Sequence, residues 1–100
     1  MKKLIYLFLI LILPIGISAQ QKILIPMDQS QADHLKAYGI AYWTLKQEIN
    51  VEWLLNFRGG SFLIDNHASI ARECRIRGVS FETVSAGQAT QIYANIDQNN

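Results

Sequence analysis

The chain has 100 residues, half of them hydrophobic, with nine basic side chains against eight acidic ones and one cysteine. A formal charge of +1 offers no basic stripe for nucleic acid, and a lone cysteine excludes an intramolecular disulfide. The length allows one small domain, of a size that buries only a modest share of its surface.

Lys2 and Lys3 precede the apolar run Leu4 to Leu13, followed by Pro14 and Ile17-Ser18-Ala19. A charged start, an apolar stretch of about ten residues and a small residue at the cleavage point make a secretory peptide, whereas a spanning helix needs about twenty apolar residues. Residues 1–19 are therefore expected to be a signal peptide, with the mature chain starting at Gln20 and residues 20–100 forming an α/β domain or the N-terminal part of a larger one. The expected location is exported, periplasmic or extracellular. Cleavage leaves seven basic against eight acidic side chains, a formal charge of −1. That balance predicts no nucleic-acid partner and no membrane partner after cleavage. With no cysteine near the cleavage point, the product is expected to be soluble rather than lipid-anchored.

Ile23-Leu24-Ile25 lacks polar alternation, as suits a strand covered on both faces, and it stops at Pro26-Met27-Asp28. Ser30-Gln31-Ala32-Asp33 has the form of a capping box and predicts a helix start. That helix runs to about Glu48. Leu35, Tyr38, Tyr42, Leu45 and Ile49 form its main stripe, and Ala37, Ile40, Ala41 and Trp43 widen the apolar arc. Gly39 in mid-helix suggests close approach to a sheet. Val51 to Phe57 reads as a second strand, broken by Arg58-Gly59-Gly60. Ser61-Phe62-Leu63-Ile64 is then either a returning strand after a hairpin turn or an extended lead into the next helix.

Asp65 or Asn66 is placed to cap a helix from about His67 to Arg77, stopped by Gly78. Val79 to Val84 alternates apolar and polar, which predicts an edge strand. Ser85-Ala86-Gly87-Gln88 repeats the capping box before a last helix carrying Ala89, Ile92, Tyr93 and Ile96. Strands alternating with helices predict a small Rossmann-like β-α-β-α-β-α unit of three layers with a mostly parallel sheet, complete or part of something larger.

The stretches Lys22 to Asp28, His34-Leu-Lys-Ala-Tyr-Gly-Ile-Ala-Tyr-Trp43, Val51-Glu-Trp-Leu-Leu-Asn-Phe-Arg-Gly-Gly-Ser-Phe62 and Arg72-Glu-Cys-Arg75 resemble the start of exported bacterial proteins commonly labelled asparagine synthetase B. The resemblance covers essentially the whole mature chain. Members are several times longer, which implies that these residues are an N-terminal portion or a truncated copy. Glutamine-dependent asparagine synthetases expose an N-terminal cysteine nucleophile and hold ATP pyrophosphate on a Ser-Gly-Gly-x-Asp-Ser loop. Here the mature first residue is Gln20, and Gly59-Gly60-Ser61-Phe62 has no Asp-Ser after it.

Cys74 lies between Glu73 and Arg75 inside a helix, and His67 is two turns away, too far for a nucleophile–base hydrogen bond. His34, His67, Asp28, Asp33 and Asp65 show no metal-ligand spacing, so neither a metal nor another cofactor is expected. Ligands of open α/β sheets sit beyond the carboxyl ends of the strands. Asp28 and Ser30 follow the first strand, and Arg58, Gly59, Gly60 and Ser61 follow the second. These six residues form the candidate ligand site, with Arg58 for an anion and Asp28 for a hydroxyl or amine.

The sequence thus points to an exported module that binds a small anionic or polar ligand, or a partner. The alternative is part of an amidotransferase- or hydrolase-type enzyme whose catalytic residues lie beyond residue 100. If the chain ends at Asn100, self-association to cover open sheet edges is a third expectation.

Overall fold

The structure, a computed structural model, describes residues 20–99. The leader expected over residues 1–19 lies outside the described residues. Seven elements follow one another: β1 (Lys22–Ile25), α1 (His34–Lys46), β2 (Val51–Leu54), β3 (Ser61–Asp65), α2 (Ala68–Arg77), β4 (Glu82–Val84) and α3 (Ala86–Asn99).

The four strands form one sheet in the order β2-β3-β1-β4, and every neighbouring pair is antiparallel. This corrects the expected Rossmann-like, mostly parallel sheet. Of the two readings open for Ser61 to Ile64, the returning strand is the one observed, and its place decides the topology. β3 folds back from Gly59-Gly60 and pairs with β2, then also pairs with β1 on its other side, Leu24 opposite Leu63. β1 and β2 still run the same way across α1, but β3 fills the slot between them. β3 and β4 are likewise separated by β1. Two interleaved βαβ units therefore make an antiparallel sheet, the split-βαβ or ferredoxin-like arrangement.

β1 lies in the interior, and its apolar run is covered on both faces. Ile23 and Ile25, with Phe62 and Ile64, pack on Ala37, Ile40 and Ala41 of α1 and on Ile70 and Cys74 of α2. Leu24, Leu54, Leu63 and Val84 face the other way, onto Ile92, Tyr93 and Ile96 of α3. Three layers result, two helices on one face of the sheet and one on the other.

The local signals vary in how they are used. α1 is capped by Asp33, whose carboxylate accepts from the Lys36 N–H at 3.0 Å, rather than by Ser30. α2 begins after His67, with no side-chain cap from Asp65 or Asn66, and ends on Gly78 at φ +73°, where the left-handed turn favours glycine. At the start of α3 the reciprocal capping box is present: the Gln88 N–H donates to Ser85 Oγ at 3.1 Å and the Ser85 N–H to Gln88 Oε1 at 2.8 Å. β4 is an edge strand with only Val84 buried. No helix among the described residues is long and apolar enough to cross a membrane.

The apolar arc of α1, wide enough to predict burial on more than one side, is buried chiefly on the side of its small residues. Its buried side chains are Ala37, Ile40, Ala41 and Thr44, whereas Leu35, Tyr38, Tyr42 and Leu45 are exposed. The small residues let the helix axis settle close to the sheet, and the larger stripe is turned outward. Gly39 is not at a close approach to the sheet; a Cβ there would meet only the Arg77 guanidinium, at 3.8 Å.

Candidate functional site

The antiparallel sheet still brings the two expected loops together. β1 and β2 run the same way, so their carboxyl ends lie at one end of the sheet and Pro26 to Ser30 and Arg58 to Ser61 share a rim. The Met27 N–H donates to the Arg58 carbonyl at 3.2 Å. Gly59 lies against this junction, where a Cβ would stand 2.5 Å from the Met27 carbonyl oxygen. Arg58, Gly59 and Gly60 all have positive φ, at +46°, +80° and +92°. Only the middle position combines a left-handed backbone with no room for a side chain.

Arg58 Nε donates to Asp28 Oδ2 at 2.8 Å and Nη2 to Ser30 Oγ at 3.0 Å. Its Nη1 donates to Glu82 Oε2 on β4, at 2.9 Å. Ser30 completes the network by donating its hydroxyl and its backbone N–H to Asp28 Oδ1. The Arg58 guanidinium, aided by the Ser30 hydroxyl, holds the Asp28 carboxyl down at about 2, and the two carboxylates raise the Arg58 pKa. His34 closes the rim from α1: Nε2 lies 2.8 Å from the Asp28 carbonyl and 3.1 Å from that of Met27. Both partners accept, so this nitrogen carries the proton.

All six expected residues are therefore gathered, but their chemistry differs from the expectation. Arg58, assigned to an anion, faces two carboxylates. Asp28, assigned to a hydroxyl or amine, holds Ser30 and Arg58. Ser61 is fully buried and donates to the Arg58 carbonyl at 3.2 Å, and the Gly60 carbonyl accepts from Trp53 Nε1 at 2.9 Å. The rim is a clamp in which two carboxylates more than offset the Arg58 charge, and it ties the β2–β3 turn to the end of β1 and the start of β4. Two open concavities lie elsewhere, one lined by Gln20, Gln21, Asp65, Asn66 and His67, the other centred on Phe57, Gln91 and Ile92. Neither contains a rim residue.

Three residues of this region lay outside the expected site: His34, whose imidazole closes the rim, Glu82 and Gln31. Glu82 was legible as a wet-face position of an alternating strand, but only the strand order puts it beside Arg58. Gln31 is buried and spans two loops, donating to the Pro26 and Ser80 carbonyls at 2.8 and 2.9 Å and accepting from the Ser80 N–H at 2.7 Å. Its position in a turn gave no sign of this.

Burial pushes the Cys74 thiol up to about 11, well away from the thiolate a nucleophile requires. Among the described residues no group of three His, Cys, Asp or Glu side chains is placed to hold a metal ion.

The large unsatisfied feature is apolar. Leu35 is 81 % exposed, Tyr42 65 %, Leu45 56 %, Trp53 54 % and Tyr38 48 %. Leu35, Tyr38, Tyr42 and Leu45 share one face of α1 by their spacing, with the Lys46 ammonium 5.4 Å from the centre of the Tyr42 ring. The Tyr38 ring meets Phe62 edge-on with centroids 5.7 Å apart, and Trp53 stacks on the same Phe62 at 5.8 Å. The exposed flank of α1 thus runs continuously onto edge strand β2. On the opposite flank Trp43 lies under the Arg77 guanidinium of α2, at 5.9 Å. Large side chains exposed together on one face are uncommon on the surface of a monomeric domain.

No family model matches the chain, and no curated protein or solved structure matches it either.

Proposed function

We propose that the mature chain is an exported, soluble α/β module that works by docking a protein partner on the apolar flank of α1 and edge strand β2. The observation that carries this reading is the joined exposed surface of Leu35, Tyr38, Tyr42, Leu45 and Trp53. A stripe of large side chains held outward on a helix whose smaller side chains face the sheet lies mostly outside the module's own core, which it touches through Tyr38 and Phe62. The export part of the reading rests on the leader Lys2 to Ala19, and it places the module in the periplasm or outside the cell.

A photoreactive phenylalanine analogue placed at Tyr42, and separately at Gln91 on exposed α3, tests the docking face in the exported fraction of the native host. A discrete covalent adduct from position 42 and none from position 91 is the expected result. No adduct from position 42, or the same adducts from both positions, overturns it.

A further inference from the structure

The sequence of the exposed stripe indicates what covers it. Leu35, Tyr38, Tyr42 and Leu45 are spaced three, four and three residues apart, the a/d spacing of a seam between two packed helices. They also read Leu-Tyr-Tyr-Leu from either end. Such a stripe is its own complement when a second helix lies against it in the opposite direction, with Leu35 meeting the partner's Leu45 and Tyr38 meeting the partner's Tyr42. A two-fold axis imposes that arrangement, since an isologous interface uses the same patch on both copies.

Charge selects the same direction. In the antiparallel arrangement Asp33, at the start of α1, lies beside the partner's Lys46 at the end of its helix, and the positive helix N-terminus lies beside a negative C-terminus. A parallel arrangement would instead set Lys36 and Lys46 near their own copies. The stripe overhangs β2, whose outer edge pairs with no strand among the described residues. β2 carries no proline or lysine at that edge, and its one charged side chain, Glu52, accepts from the Tyr93 hydroxyl of α3. Running β2 antiparallel to its copy across the same axis doubles the four-stranded sheet and brings the two α1 helices together on one face. The five side chains supply on the order of 500 Å² per copy, with a ring worth about 150–250 Å² when fully covered. The strand edge and the helix flanks extend this toward the ~800 Å² per partner of a stable interface.

We infer that the partner is a second copy of this chain, forming a two-fold dimer through an antiparallel α1–α1 seam continued by β2. This rests on the docking reading above and names its occupant. Sedimentation of the exported chain at micromolar concentration is expected to give twice the chain mass. Tyr42→Glu and Leu35→Glu, both at exposed positions, are expected to weaken association about tenfold or more while the circular dichroism spectrum stays unchanged.

Direction is tested with Leu35→Cys and Leu45→Cys chains, Cys74 being buried. Oxidation of the mixture is expected to link unlike chains, and each preparation alone is expected to stay unlinked. A single-chain mass, or linking within each preparation alone, overturns the inference. A Tyr42 adduct containing a different protein leaves the docking reading standing and refutes the second copy; absence of any adduct refutes both.

Discussion

Arg58 holds a left-handed backbone at φ +46° that arginine adopts only at a cost, and its side chain and carbonyl are both engaged in keeping it there. Folding lowers the Asp28 pKa from an ordinary 3.8 to about 2, so the stability that this pair contributes is complete above about pH 4 and is lost as the pH falls through about 2. The urea midpoint of Arg58→Gln is therefore expected to fall below that of the parent chain at pH 5, with the gap closing toward pH 2. A gap of constant size would show that the clamp does not depend on the Asp28 charge. Gly59 is the other residue on which the rim depends. Gly59→Ala meets the Met27 carbonyl at 2.5 Å with φ at +80°, and is expected to cost roughly 1–3 kcal/mol in denaturant unfolding. The glycines and the arginine were legible in the sequence as a turn and a charge. That the charge is already neutralised was not, because Asp28 and Glu82 lie 30 and 24 residues away from Arg58 along the chain.

At the scale of single elements, α1 carries the sharpest contrast between pattern and placement. Its apolar arc contains two stripes, and periodicity alone favours the one with larger side chains. The fold buries Ala37, Ile40, Ala41 and Thr44 instead, with Thr44 returning its hydroxyl to the Ile40 carbonyl at 2.8 Å so that no donor is left unsatisfied in the core. A helix packed through small residues approaches its sheet closely, and the bulky stripe then has nowhere to go but outward. The end of α1 is also imperfect. Glu48 sits at φ +63°, where the chain turns left-handed and its N–H donates to the Leu45 carbonyl at 2.9 Å. Glu48→Gly is expected to stabilise the protein by about 1 kcal/mol in thermal or urea unfolding, since glycine holds that geometry without strain. The ends of α2 and α3 were easier to read, because Gly78 and the Ser85–Gln88 pair act within a few residues of themselves.

Over the whole molecule, β1 is the strand about which everything else is arranged: bonded to a neighbour on each side, covered by two helices on one face and one on the other. In the monomeric Tyr42→Glu chain, native-state hydrogen exchange is expected to find the β1 amides among the slowest and those at the outer edge of β2 among the fast, because protection follows burial and pairing. Slow exchange along that β2 edge in the monomeric Tyr42→Glu chain would contradict an exposed edge strand.

Side-chain periodicity and turn residues within a few positions reveal most of the strands and helices, the covering of Ile23 to Ile25 on both faces and the edge strand after Val79, but they leave Ser61 to Ile64 open and carry the second strand past Leu54, where it ends. Long-range packing set the direction of the sheet, the pairing of Arg58 with two carboxylates and the outward face of α1. An apolar strand records that it is buried and carries no mark of which way its neighbour runs. That direction depended on β3 folding back at Gly59-Gly60 and occupying the space between β1 and β2.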